Sequence, residues 1–303
     1  MTNMISRILF GTLLMATMAH AQAPAGDNSP ETKPARREAS EKNTARSKAL
    51  YPRTQESINK TIAAIQAKKG SGNLAEAQEA VNALNVYRYL CGVPFSVKVN
   101  ASMCSQAQSA ADACAAKGTL SHSLGAYTDQ CNLAAASGNL PMVNTVHIYM
   151  DDAGANNREV RGHRQHCLKY GLTSTGFGKQ KGFGAMRVML GRGAKMPKMK
   201  RGWSYPGNGF YPAAWMKGNG WSYYAPAGIS MKKANVTMWK LAQPPTKVPT
   251  PSELQQAQKI SMGSVFTHDG QIVFEPGIQT PEGIYWVEIK AGNFSDKYVV
   301  EFF

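Results

Sequence analysis

Cysteine is absent after Cys167, and no two of the five cysteines stand as Cys-x-x-Cys. That spacing excludes a zinc ribbon or a thioredoxin-like redox centre. No uninterrupted apolar run approaches about 18 residues, so no segment reads as a transmembrane helix. There is no Gly-x-Ser-x-Gly elbow and no Cys-His protease block, which removes the common signatures of serine and cysteine hydrolases. Acid is scarce where base is dense. From Arg158 to Arg201 there are twelve Lys or Arg and a single acid, Glu159, so this stretch carries +11 of the chain's +15.

The beginning of the chain reads as a secretory signal peptide, residues 1–21. Arg7 precedes an apolar run from Ile8 to Met18, and Ala19-His20-Ala21 supplies a small-x-small cleavage pattern before Gln22. The run is too short to span a bilayer. The expected location is therefore secreted, periplasmic or extracellular. An oxidising compartment turns the five cysteines, Cys91, Cys104, Cys114, Cys131 and Cys167, into disulfide candidates, with up to two bridges and one thiol left over. Spacing does not choose the pairing. The partners expected for the basic stretch are an anionic envelope polymer, a lipid headgroup or a glycan. Nucleic acid is disfavoured by the compartment and by the lack of any recognition motif.

Residues 22–53, rich in Pro, Ala, Ser, Lys, Glu and Arg, read as a disordered linker. A helical lead-in occupies 54–72, with Ile58, Ile62 and Ile65 at helical spacing before Gly70-Ser71-Gly72. Helices are expected over 75–90, 101–117, 142–152 and 161–169, and strands over 175–178 and 183–190. The first of these helices aligns Ala80, Leu84, Tyr87 and Cys91 on one stripe. From residue 195 onward the helical pattern gives way to short aromatic strands, 235–241, 283–289 and 297–303. A hairpin over 264–274 turns at Asp269-Gly270. The fold class expected is α+β: several helices wrapped round a small sheet at 73–194, followed by an all-β sandwich at 195–303. The aromatics Trp203, Tyr205, Phe210, Tyr211, Trp215, Trp221, Tyr223 and Tyr224 serve either a sandwich core or a carbohydrate platform.

Six short segments occur in a fixed order: LNVYRYLCGVP (84–94), GTLSHS (118–123), QCNLA (130–134), IYMDD (148–152), GHRQHCL (162–168) and TGFG (175–178). Together they resemble the CAP superfamily, the SCP domain of cysteine-rich secretory proteins, antigen 5 and pathogenesis-related 1 proteins, in its bacterial branch. The likeness covers about residues 76–192. It implies an α-β-α sandwich with an open cleft in which two histidines and two acids converge, in some members around zinc or another divalent cation. Carried onto this chain, the histidines are His122 and His163 and the second acid is Asp152. The first acid of the family's Gly-Glu-Asn run is missing, because Gln130-Cys131-Asn132 stands there.

The resemblance therefore gives a cleft set of His122, His163, Asp152, Cys131 and Asn132. If Cys131 is a free thiol, it completes a candidate four-ligand zinc site; if it is in a disulfide, three ligands remain. His163 is expected to face the cleft toward His122. Cys167, one turn later, points inward, and His166, about 60° round the helix, reads as a packing or surface residue. The reading favoured is a non-catalytic binding protein for an anionic envelope component. The alternative is a metal-assisted hydrolase of peptide or polysaccharide. It would use the His122 and His163 cleft; a nucleophilic scheme in the same cleft would take Ser121, Ser123 or Cys131 as nucleophile, His163 as base and Asp152 as orienter.

Overall fold

The computed structural model describes residues 47–154, 156–188, 199 and 201–303. The signal peptide, most of the expected linker, the end of the strand expected over 183–190 and the boundary expected between 194 and 195 lie outside the described residues. Helix and sheet are mixed, as expected for α+β. The described residues belong to one compact unit.

The chain enters through residues assigned to the linker by composition, yet Leu50 and Tyr51 are buried. Tyr51 packs on Phe210 with ring centroids 4.9 Å apart. Arg53 lies over the Tyr89 ring and donates to the carbonyls of Tyr89 and Leu90. Two aromatic contacts and a charged anchor thus order a segment whose composition is otherwise polar. Helix α1 (Gln55–Gln66) follows, capped by Thr54 and Ser57 in a reciprocal box, with Ile58, Ile62 and Ile65 buried.

Helix α2 (Ala75–Leu90) is the central rod, and its stripe of Ala80, Leu84 and Tyr87 is fully buried. Two of its polar residues pin the following loops. Asn85 exchanges two hydrogen bonds with the backbone of Val97, at 2.9 and 3.0 Å. Arg88, fully buried, donates to the carbonyls of Pro94, Cys167 and Lys169. One guanidinium thus satisfies carbonyls on two separate loops that have no ladder partner.

Helix α3 (Ala101–Lys117) runs from its Asn100 cap to the left-handed Gly118. Short strands β1 (Lys98–Val99) and β3 (Ser174–Thr175) pair in parallel. The sheet that organises this half is three-stranded and antiparallel, in the order β2 (Cys131–Ala135), β5 (Phe183–Arg187), β4 (Phe177–Gln180). Strand alternation sends successive side chains to opposite faces. Cys131, Leu133 and Ala185 meet the alanine face of α3, Ala107, Ala110 and Ala111. Ala134 and Met186 turn the other way, into the main core shared with α2 and helix α4 (Met142–Asp151). The Gly-x-Gly of TGFG is explained by α3. A Cβ on Gly176 would lie 2.1 Å from the Cys104 backbone nitrogen, and one on Gly178 would lie 2.2 Å from that of Gln108. Helix α5 (Gly162–Cys167) then follows α4 across a turn.

The second half contains two sheets. A four-stranded sheet has the order β11 (Met262–His268), β12 (Gln271–Pro276), β8 (Trp221–Tyr224), β6 (Trp203–Tyr205). A five-stranded sheet has the order β10 (Gln258–Lys259), β9 (Asn235–Leu241), β13 (Ile284–Ala291), β14 (Phe294–Phe302), β7 (Gly209–Tyr211). They face one another as a sandwich, with Trp221 of β8 set 6.0 Å from both Tyr285 and Phe302. Asp269-Gly270 turns the β11–β12 hairpin, as its sequence requires. A six-residue helix, α6 (Pro251–Gln256), begins at a capping box of Thr250 and Glu253.

The sandwich and the helical half share one core. Tyr87 of α2 packs edge-on against Trp215 at 5.0 Å, and Arg164 of α5 stacks on Tyr205 at 4.3 Å. Tyr205, Phe210, Tyr211, Trp221, Tyr223 and Tyr224 are all buried, so most of the aromatic set fills the core. Trp203 and Trp215 are the two left half-buried. Among the described residues, no helix is long and apolar enough to cross a membrane.

Candidate functional site

The site grows from the junction of α4 and α5. Helix α4 ends at Asp152, a non-glycine residue in the left-handed region, φ 50° and ψ 37°. Arg161, just before α5, is left-handed as well. Such conformations cost free energy and persist where the surroundings fix them. Here they fold the chain back so that the buried Asp152 carboxylate meets the start of α5. Its Oδ2 accepts from the His163 backbone N–H at 2.9 Å. Its Oδ1 lies 2.9 Å from His163 Nδ1. A buried carboxylate in that position holds the Nδ1–H tautomer and leaves Nε2 as the free edge of the ring.

Strand β2 supplies the facing group. Asn132 donates to the His163 carbonyl at 3.0 Å, and its Oδ1 stands 2.8 Å from His166 Nδ1. Tyr149 of α4 donates to the Asn132 carbonyl at 3.0 Å, and its ring packs 5.3 Å from that of His163. His122, in the loop after α3, is exposed and sets its Nδ1 2.7 Å from the Thr128 carbonyl. Burial chiefly, then the charges of His163 and Lys169, lower the His166 pKa below the ordinary imidazole value, and His122 adds to the effect.

The structure thus brings His163, Asp152 and Asn132 together, holds His122 on the Thr128 carbonyl, and places Cys131 elsewhere. Cys131 belongs to the opposite face of the sheet, among the alanines of α3, where burial pushes its thiol up to about 12. It is neither a thiolate ligand nor a nucleophile in that environment. All five cysteines are free thiols, and none of the up to two expected bridges is made. Placement separates Cys91 and Cys167, in the main core, from Cys114 and Cys131, which share the alanine cluster across the sheet and stand there as unbridged thiols. The donor set does not fit a metal ion. Asp152 spends both oxygens on α5, and among the described residues no three His, Cys, Asp or Glu side chains converge closely enough to hold a cation.

His166 is the residue that sequence reasoning undervalued. Beyond Asn132, it lines a cavity of about 640 Å³ together with Lys169, Tyr170, Trp203, Tyr224 and Asp269. Trp203 and Tyr224 stack at 5.6 Å and 17°, and Tyr170 leans on Trp203 at 6.1 Å. Tyr170 and Trp203 also line a second cavity of about 510 Å³, walled further by Arg53, Tyr89, Phe95 and Arg201. The only signal for this groove in the sequence was the aromatic density after residue 195.

Among the described residues the basic stretch divides: Arg161, Arg164 and Arg187 are buried, whereas Arg158, Lys169, Lys181 and Arg201 are exposed. Arg164 is fully buried and donates to the carbonyls of Met150 (2.6 Å), Asp151 (2.9 Å) and Gly220 (2.8 Å) and to Ser222 Oγ (2.8 Å). Arg158 and Arg161 share Glu275. Lys179 pairs with Glu76, Arg187 binds Gln106 and the Gln130 carbonyl, and Arg201 pairs with Asp296. Arg161, Arg164 and Arg187 are thus internal fasteners of loops and sheets, while the exposed cations keep a basic surface.

Comparison with protein-family models, with curated proteins and with solved structures returns no match.

Proposed function

We propose that this chain is an exported, CAP-like binding protein, non-catalytic, whose ligand is an anionic cell-envelope glycan. The observation that carries the reading is the pair of adjoining cavities that share Tyr170 and Trp203. Sugar rings present apolar C–H faces that aromatic rings cover, and an extended chain suits two cavities in series better than a compact ligand does. Lys169 and His166 in the first cavity, with Arg53 and Arg201 in the second, supply donors for an acidic or hydroxylated chain. Export is supported by the leader-like residues 1–21, and kinship by the six ordered motifs.

The test is binding of the purified protein to an acidic polysaccharide, its neutral counterpart and anionic vesicles, each at low and high salt. The acidic polymer should bind best and weaken with salt. Tyr170→Ala and Trp203→Leu should each reduce binding about tenfold, the order of one lost aromatic contact plus its buried area. Equal binding of the two polymers, or wild-type binding by both variants, would overturn the glycan reading. Preference for vesicles would transfer the site to a lipid headgroup.

A second reading, an extracellular hydrolase of peptide or polysaccharide, draws support from the Asp152–His163 pair, which leaves one imidazole nitrogen free to take a proton. It requires turnover that His163→Ala or His122→Ala abolishes. Absence of any turnover on peptide and polysaccharide libraries removes it.

A further inference from the structure

A separate cavity of about 440 Å³ opens beside the α1–α2 connection, lined by Lys69, Glu79, Val143, His147, Trp215 and Lys217 among others. Its chemistry is unlike that of the aromatic groove. His147 of α4 is held by the buried Tyr87, whose hydroxyl lies 2.8 Å from Nδ1. A buried phenol that accepted at this contact would leave its own proton unpaired, so Tyr87 donates and Nδ1 accepts. The imidazole proton therefore sits on Nε2, as a donor. Burial first, and the neighbouring Lys217 second, keep this imidazole below its ordinary pKa and so neutral.

The other groups are fixed in place too. The Tyr205 hydroxyl accepts from the Lys217 backbone N–H and donates to the Lys217 carbonyl at 3.0 Å, which anchors that residue at the cavity wall. Among the described residues, Lys217 Nζ reaches only the Ala214 carbonyl, at 3.0 Å. A neutral carbonyl leaves two ammonium protons for another acceptor. Trp215, half-buried, packs 5.9 Å from His147 and edge-on to Tyr87. Lys69 and Lys217 against Glu79 leave the lining with one net positive charge.

We propose that this cavity is a binding site for a small monocarboxylate with a planar apolar body. The carboxylate accepts from Lys217 Nζ and the His147 Nε2–H, and the apolar body covers the Trp215 indole. One net positive charge suits a monoanion over a dianion, and the indole adds the apolar half of the recognition.

The probe is sodium benzoate, titrated by calorimetry into the full chain, with benzyl alcohol as its uncharged counterpart and inorganic phosphate as the anion without an apolar body. Benzoate should bind saturably, and both counterparts at least about tenfold more weakly, the cost of one charge-assisted hydrogen bond. Lys217→Met, which gives up only a bond to a backbone carbonyl, should keep the fold and lose at least about tenfold in benzoate affinity. Trp215→Phe should lose less. No saturable benzoate binding, benzyl alcohol or phosphate binding as tightly as benzoate, or an unchanged affinity in Lys217→Met would each overturn the proposal. The Tyr170 and Trp203 variants should leave benzoate binding unchanged, so the outcome is independent of the glycan groove.

Discussion

Cys131 and Asn132 are neighbours in β2 and serve opposite faces of one sheet. The thiol of Cys131 packs among the alanines of α3, while the amide of Asn132 bridges His163 and His166. A one-residue step in a strand reverses the side chain, so a ligand set that needs both residues cannot form.

The first consequence concerns thiols. Denatured without reductant, the protein should release five equivalents to a thiol reagent. In the native state Cys91, Cys131 and Cys167 should be inert, because burial pushes each thiol up to about 12. Cys104, only partly buried, should react first. A count of one or three on denaturation would show that bridges form after all.

Asp152 should matter more to the fold than its single ring contact suggests. It accepts from the His163 side chain and from the His163 backbone N–H. Asp152→Ala leaves those donors unpaired and also loses the residue type that tolerates the left-handed region. Urea unfolding should show a loss of about 3 kcal/mol, on the scale of one or two hydrogen bonds to a charged group. A loss below about 1 kcal/mol would mean that water replaces the carboxylate.

Acid should loosen the contact between the segment leading into α5 and the four-stranded sheet. The hydrogen bond from Arg158, and then the charges of Arg158 and Arg161, hold the Glu275 carboxyl below its ordinary value of 4.5. A depressed folded-state pKa adds stability above the unfolded pKa, and that stability disappears as pH falls through the folded value. Stability should therefore drop below about pH 4.5, and Glu275→Gln should flatten that part of the profile. Identical profiles for the two proteins below pH 5, on the order of the unperturbed carboxylate pKa, would assign the acid sensitivity elsewhere.

Gly178→Ala should be among the most damaging changes of a single methyl. The new Cβ would lie 2.2 Å from the backbone nitrogen of Gln108, and a helix backbone cannot rotate out of the way as a side chain can. We expect more than about 4 kcal/mol of destabilisation or failure to fold. Gly228→Ala, at an open turn with φ of 85°, should cost far less, in the range of about 1–2 kcal/mol. Circular dichroism melts of the two variants make the comparison.

Much of the fold was legible because it follows from local rules. The helices at 75–90 and 101–117, the strand at 235–241 and the Asp269-Gly270 hairpin lie where periodicity and turn chemistry put them. Strands β6, β7 and β8 were not legible as elements. Their side chains are buried on both faces, so their aromatics do not alternate with polar residues. The site was half legible. His163 and Asp152 came from motif order and are in contact. His166 was passed over because helical angle alone says nothing about Asn132 arriving from a strand 34 residues earlier. The split of the basic stretch into buried Arg161, Arg164 and Arg187 and exposed Arg158, Lys169, Lys181 and Arg201 was not legible. Formal charge counts a guanidinium the same whether it faces water or binds four groups inside, as Arg164 does.

Arg164 also sets how the molecule can move. One side chain grips the last carbonyls of α4 on one side and the β8 edge at Gly220 and Ser222 on the other, and it is itself part of α5. Tyr224, two residues along β8 from Ser222, stacks on Trp203. A ligand that displaced this aromatic pair would tug, through a rigid planar linchpin, on the short helix carrying both imidazoles. Groove and histidines are in mechanical series, and a substitution at either end should be felt at the other.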